Sequence, residues 1–410
     1  MDRRQFLVRS GLALIAAGYG DLLRTPLAEA APPASWARVR AEFDLDPGWI
    51  HLGGLLLASH PAPVRRAIER HRRGLDRNPV HYLHANQLEL EAAVLREAAA
   101  YTGAEPTDIA LTDSTTMGLG LAYNGLDLHR GDDVLTTTHD FYATHEALRL
   151  KAARSGAAVR MVPLYDRSQT ASAEAIVGAV TRALRPRTRV LAMTWVHSST
   201  GVKLPVQQIV AAARRVAKDV LVCLDGVHGF GVEDVHLPAL GVDFFVAGCH
   251  KWLFGPRGTG IVWGSDRGWA AVQPTIPSFT RDGTQAGGFT PGGFHSFEHR
   301  WALAQAFALH RSLGKPRVAA RIHDLNTRLK NGLAAMDRVT LYTPRSPALS
   351  AGLVCFDVRG LSPPEVVDRL AARRIVATVT PYATSYARLA PGLLNSEAHV
   401  DAALRAIREL

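Results

Sequence analysis

The chain has 410 residues, 47% of them hydrophobic and 20% charged, which provides for one large and one small domain with separate cores and excludes disorder on the scale of a domain. Its formal charge is +10, but the arginines are scattered along helical patterns, so the excess reads as a solvated basic surface and no nucleic-acid partner is expected. Three cysteines, Cys223, Cys249 and Cys355, have neither disulfide nor metal-ligand spacing and read as buried thiols.

Residues 1–30 stand apart from the fold. Asp2-Arg3-Arg4-Gln5-Phe6-Leu7, the apolar Leu12-Ala-Leu-Ile-Ala-Ala17 and Ala28-Glu-Ala30 read as a twin-arginine export signal. Such a signal addresses a folded chain to the twin-arginine translocation machinery and places the mature protein in a periplasm. No later apolar run approaches the roughly 18 residues of a membrane span, so no stable membrane anchor is expected.

In chain order, Asp46 to Pro61 has a strand-like start and a glycine break at Gly53-Gly54, and Pro63 to Arg73 has helical periodicity. His81-Tyr-Leu-His84 holds two histidines without further ligands, and no metal is assigned. An amphipathic helix pattern over Leu88–Thr102 precedes a short strand at Asp108–Thr112. Asp113-Ser-Thr-Thr-Met-Gly-Leu119 is a hydroxyl-rich turn entering a helix, where free N–H groups and hydroxyls make a ready phosphate site. A strand at Asp133–Thr138 runs into His139-Asp-Phe-Tyr142, and Arg189–Val196 delivers His197-Ser-Ser-Thr-Gly201. A helix over Val206–Ala217 follows.

Two strands then end in reactive side chains. Val220-Leu-Val-Cys-Leu-Asp225 closes on a carboxylate, and the run from Asp243 leads through Cys249 and His250 to Lys251, before the turn Gly255-Pro-Arg-Gly-Thr-Gly260. A lysine and an acid at the ends of neighbouring parallel strands meet at the carboxyl edge of the sheet, where open α/β folds bind ligands. That pair suits pyridoxal 5'-phosphate (PLP): the lysine condenses with the aldehyde, and the acid keeps the pyridine nitrogen protonated so that the ring is an electron sink. From Glu298 a long helix through Leu313 leads to a C-terminal part with a strand at Gly352–Asp357, a helix at Pro364–Ala372, a strand region at Ala383–Arg388 and a closing helix.

His250-Lys251-Trp252, the Gly255–Gly260 turn and Asp225-Gly-Val-His228 resemble the class V aminotransferase family of fold-type I PLP enzymes, and its isopenicillin N epimerase-like branch in particular. The resemblance implies an α/β fold-type I transferase: a large domain with a mainly parallel seven-stranded sheet and a smaller α+β C-terminal domain. The expected divisions are a signal at 1–30, an N-terminal segment at 31–60, the PLP-binding domain at 61–297 and the small domain at 298–410. It implies Lys251 and Asp225 as catalytic, Thr115, Thr116 and His250 on the cofactor phosphate, and Ser198 near the phenolic oxygen. His228 would reach the same oxygen or sandwich the ring. Phe141 would stack on the ring, with His139 and Tyr142 as alternatives, and Arg388 would fork onto a substrate carboxylate. A homodimer is implied as well. Two positions depart from the family: Gly248 replaces a usual serine or threonine, and Gly292-Gly293 replaces the Gly-Thr of a loop that reaches the partner's phosphate. Thr290, His295 or Ser296 would have to compensate.

The residues that hold PLP do not choose among transamination, epimerisation and lyase chemistry. Desulfurases of the family need a mobile-loop cysteine, and the corresponding Thr378–Ser385 has none. Exported members that tailor the glutamyl group of pyoverdine siderophores are similar in signal and core. The expectation is therefore an exported PLP enzyme acting on an amino group of an amino acid or peptide-like secondary metabolite, by transamination or oxidative deamination. The alternatives are an epimerase of the isopenicillin N type and a PLP-dependent cyclase or lyase. A non-catalytic binding protein would require Lys251 or Asp225 to be replaced, and both are present.

Overall fold

The computed structural model describes residues 35–280 and 283–410, so the export signal read at residues 1–30 lies outside the described residues. The strands, in chain order, are β1 Ile50–His51, β2 Ile109–Thr112, β3 Asp133–Thr137, β4 Ala158–Val162, β5 Thr188–Thr194, β6 Leu221–Asp225, β7 Phe244–Gly248, β8 Gly260–Gly264, β9 Val339–Leu341, β10 Val354–Val358, β11 Ile375–Val376, β12 Thr378–Val379 and β13 Ala387–Leu389. Seven of them form one sheet in the order β2-β8-β7-β6-β5-β3-β4. Pairs from β7 to β4 are parallel, and β8 is antiparallel to both of its neighbours. The parallel pairing follows from the connections: helices Tyr142–Ser155, Ala173–Ala183 and Val206–Val216 carry the chain back between β3, β4, β5 and β6.

Both faces of this sheet are covered, which is why its strands read as near-continuous apolar runs. Leu221, Cys223, Phe244 and Val246 pack on one face with Leu119 and Leu121 of helix Thr115–Gly125. Their alternates Val222, Leu224, Phe245 and Ala247 pack on the other face with Ile209 and Val210. The period-2 pattern puts the final residue of β6, Asp225, on the face of helix Thr115–Gly125.

A second, four-stranded sheet has the order β12-β13-β10-β9 and is antiparallel throughout. Leu325 and Leu329 of helix Lys315–Ala334, Val366 and Leu370 of Pro363–Ala372, and Val400 and Ile407 of Glu397–Arg408 build its core. Ser362 starts the middle helix with a reciprocal capping box to Glu365. The short β1 pairs in parallel with β11 and ties the N-terminal segment to this part of the chain.

The expected seven-stranded, mainly parallel sheet with a smaller α+β part is what the chain forms. Three local expectations change. Helix Pro79–Thr102 begins well before Leu88, because Pro79 sits at its first position, and it carries His81 and His84 exposed on its first turns. Helix Lys315–Ala334 follows Leu313 after a single glycine, a break too short to read as a loop. Only Ala387–Leu389 of the last strand region pairs; Thr380–Tyr386 is a hairpin loop closed by Thr380 N–H to the Tyr386 carbonyl (2.9 Å) and Tyr386 N–H to Thr380 Oγ1 (2.9 Å).

Candidate active site

Strands β2, β3, β5, β6 and β7 all release the chain at the carboxyl edge of the large sheet. After β2, Ser114 caps helix Thr115–Gly125 by accepting the Met117 N–H (3.1 Å), while the first N–H groups of that helix have no partner within it. Thr115 Oγ1 accepts the Gly248 N–H (2.8 Å) and fastens the helix start to the end of β7. After β3, Asp140 is held by the Thr194 N–H (2.7 Å), the Thr137 N–H (2.8 Å) and the Thr136 hydroxyl (2.8 Å). That anchorage separates the three aromatic candidates around it. His139 stacks on Tyr165 with centroids 3.9 Å apart and accepts the Leu164 N–H (3.1 Å), and Tyr142 is 67% exposed. Phe141 alone of the three faces the cleft.

Asp225 is followed by a glycine of necessity: a Cβ on Gly226 would lie 1.9 Å from the Phe245 ring. Its Oδ1 accepts the Val227 N–H (3.1 Å), and burial lifts its pKa to about 6, against the pull of Val227 and of Lys251. Burial also brings Lys251 down to about 8, with Asp225 pulling it back up and Arg388 pushing it further down. The chain leaves Lys251 through a tight turn in which the Phe254 N–H meets the Lys251 carbonyl (3.1 Å). Phe254 takes a left-handed φ of 60°, a strain of about 1–3 kcal/mol that its packing on Phe43 (4.9 Å) and His310 (5.7 Å) sustains. His228 accepts the Trp252 indole N–H at Nδ1 (3.4 Å), and burial holds its pKa well below the ordinary value. An indole can only donate, so the neutral ring carries its own proton on Nε2.

Arg388 comes from β13 and is 3% exposed. It donates from Nη1 to the Ser198 carbonyl (2.8 Å) and from Nε to Thr378 Oγ1 (3.0 Å), yet no carboxylate among the described residues pairs with it. A buried guanidinium in that state is costly without an anion, and burial lowers its pKa accordingly. Ser198 Oγ bonds the Tyr382 hydroxyl (2.7 Å).

One cleft collects these groups. Thr115, Thr116, Phe141 and Ser198 line it, and so do Asp225, His228, His250, Lys251 and Arg388, so the leading candidates from the sequence converge there, while the alternatives His139 and Tyr142 do not. The lining also includes Leu55, Leu56, Ser114, Thr194 and Pro381, which were not singled out. The Thr194 hydroxyl is buried with no partner, which marks a place for a polar ligand atom. At Gly248, an added Cβ would stand 2.9 Å from His250 Cε1 and 3.2 Å from Thr115 Oγ1, so imidazole and threonine occupy the room that a hydroxyl side chain takes in the family pattern. The donor set fits PLP: an amine for its aldehyde, a carboxylate for its pyridine nitrogen, a ring for its face, and helix-start N–H groups with two threonines and a histidine for its phosphate. The Thr290 hydroxyl is engaged inside its own chain: it accepts the Leu111 N–H (3.1 Å) and donates to the Ala286 carbonyl (3.4 Å).

The sequence profile described as aminotransferase class-V matches residues 59–384. Isopenicillin N epimerase of Amycolatopsis lactamdurans is 26% identical over 348 residues, 78% of this chain and 84% of the relative. A probable cysteine desulfurase of Pseudomonas aeruginosa is 31% identical over 277 residues, 64% of this chain and 66% of the relative. The fold matches that of a cystine C–S lyase solved with its product cysteine persulfide, at a TM-score of 0.82 and 23% identity, covering 88% of this chain and 98% of that one. The chain belongs to the class V aminotransferase family, whose members are PLP-dependent enzymes.

Proposed function

We propose that this chain is an exported PLP-dependent enzyme that acts on the amino group of an amino acid or peptide-like secondary metabolite, by transamination or oxidative deamination. One observation carries the substrate class: the unpaired, buried Arg388 guanidinium shares a cleft with the Lys251 amine, so the site addresses a molecule that bears both a carboxylate and an amine. Export rests on Arg3-Arg4, the apolar Leu12–Ala17 and Ala28-Glu-Ala30, and the likeness to exported pyoverdine-tailoring enzymes rests on that segment and the Lys251 motif.

When bound, PLP supplies an electron sink for the carbon next to the substrate amine. The chain's own groups do the rest. The N–H groups at Thr115 and Thr116, the Thr115 and Thr116 hydroxyls and His250 hold the phosphate, and Phe141 stacks on the ring. Asp225 keeps the pyridine nitrogen protonated, and Ser198 with the His228 Nε2–H addresses the phenolic oxygen. Arg388 clamps the substrate carboxylate. Lys251, whose pKa of about 8 leaves a useful neutral fraction near neutrality, takes the proton from the substrate Cα.

Desulfurase chemistry is disfavoured by the thiols. All three cysteines of the chain are buried, and burial pushes Cys355 up to about 12 and Cys223 and Cys249 higher still, so none offers a thiolate to take sulfur. The epimerase relatives and the Asp225-x-x-His228 spacing favour epimerisation as a second reading. A homodimer accords with the exposed apolar side chains Phe294 (84%), Phe279 (66%), Val80 (64%) and Leu56 (60%). The test is proton NMR in heavy water of PLP-loaded protein with amino acids and glutamyl peptides. Conversion of the bound cofactor to its amine form with release of a keto product supports transamination. Keto product with the cofactor unchanged and oxygen consumed supports oxidative deamination, and deuterium at Cα of an inverted but intact substrate supports epimerisation.

A further inference from the structure

Ser198 and Tyr382 reach the cleft from opposite parts of the fold. Ser198 leaves β5 in the large sheet, whereas Tyr382 stands in the loop Thr380–Tyr386 between β12 and β13. The Ser198–Tyr382 bond of 2.7 Å is the only hydrogen bond either hydroxyl makes among the described residues. Ser198 lines the cleft, and Tyr382, itself not part of the lining, bonds it from the neighbouring loop. The tyrosine is fixed: its ring meets Phe141 edge-on at 6.2 Å, its N–H meets the Thr380 carbonyl (3.0 Å), and Ser385 Oγ closes the same loop onto that carbonyl (2.8 Å).

A serine hydroxyl is a rotor whose direction its partners decide. We propose that Tyr382 is a positioning residue that acts through Ser198, setting whether Ser198 Oγ offers a proton or a lone pair to a ligand oxygen in the cleft. On the PLP reading above, on which this rests, that oxygen is the phenolic one. With the tyrosine donating, Ser198 turns its proton to a deprotonated ligand oxygen, and the chain of two donors strengthens that contact. With the serine donating back to the tyrosine, Ser198 presents a lone pair to a protonated oxygen. The charged groups facing the Tyr382 hydroxyl are Arg388 on its own hairpin, Asp225 at the end of β6 and Asp140 after β3. Burial, partly offset by Ser198 and Arg388, raises the phenol to about 12, so it keeps its proton through neutrality.

The test uses PLP-loaded protein with Tyr382→Phe, Ser198→Ala and the double variant. The phenylalanine keeps the ring against Phe141, and circular dichroism checks each fold. Two quantities are read: the pH midpoint of the cofactor's absorption change, and the dissociation constant for PLP. Tyr382→Phe is expected to raise the midpoint by about half to one unit and to weaken PLP binding about 3- to 10-fold, because the deprotonated oxygen loses a polarised donor. Ser198→Ala is expected to do at least as much, and the double variant no more than Ser198→Ala. Unchanged values in Tyr382→Phe, or effects of the two substitutions that add, would overturn the proposal. Wild-type protein that takes up no PLP would overturn the cofactor reading itself, and that result is separate because it is seen before any variant is made.

Discussion

Replacing Lys251 by methionine in cofactor-free protein isolates what the buried amine costs. Burial takes its pKa from 10.5 to about 8, with Asp225 acting against the shift and Arg388 with it. Below about pH 8 the amine is protonated in both the folded and unfolded chain, and the whole penalty is present. Between about pH 8 and 10.5 only the unfolded chain still binds the proton, so stability rises with pH; above 10.5 the penalty is gone. The gap corresponds to about 3 kcal/mol. Methionine also removes the charge that steadies Asp225, whose pKa of about 6 then climbs further, and this takes back part of the gain. The expected net effect is a variant more stable by about 1–3 kcal/mol at pH 7, shrinking towards zero by pH 10. Urea unfolding at both pH values measures it. A variant less stable than wild type at pH 7, or an advantage that does not shrink, would refute the account of a lysine kept reactive at the expense of stability.

Arg388→Lys keeps the charge but loses the fork, so KM for an amino-acid carboxylate is expected to rise about 10- to 100-fold with a smaller change in kcat; an unchanged KM would remove Arg388 from the substrate site. Asp225→Asn is expected to lower kcat about 100-fold or more. The same variant should be no less stable than wild type at pH 7 without cofactor: the folded pKa of about 6 lies above the unfolded 3.8, so the carboxylate destabilises fully above pH 6 and not below 3.8. Denaturant curves at pH 3.5 and 7 check that sign. Trp252→Phe removes the only donor to His228 Nδ1 among the described residues and frees its tautomer, and PLP affinity is expected to fall about 2- to 10-fold by fluorescence titration.

Asp225 and Lys251 were legible because Asp225 ends an apolar strand and Lys251 follows three residues after the end of the neighbouring one, with Asp225 registered on Val246. A parallel pair of that kind brings its two exit residues together whatever else the chain does. The choice among His139, Phe141 and Tyr142 was not legible, since it turns on Tyr165, which claims His139 from the next strand connection. Tyr382 escaped notice for a related reason: its partner Ser198 is 184 residues away, and no local pattern announces a contact made by a hairpin loop of the second sheet. Thr290 looked free by composition, but the fold engages its hydroxyl with the backbone of Leu111 and Ala286. The missing hydroxyl at Gly248 was legible as an absence, but that His250 and Thr115 fill its space depends on how two separate segments pack together.

The central claim is that Lys251 carries the cofactor. Borohydride reduction of PLP-loaded protein followed by peptide mass mapping tests it directly, and the chain contains its own controls. Burial brings Lys315 and Lys330 to about 8 as well, but their amines are held by carbonyls, Lys315 on Tyr101 (3.0 Å) and Lys330 on Arg345 (3.0 Å). The account predicts a reduced PLP adduct on the peptide containing Lys251 and its loss in Lys251→Met. An adduct on another lysine, or none after reconstitution, would contradict it.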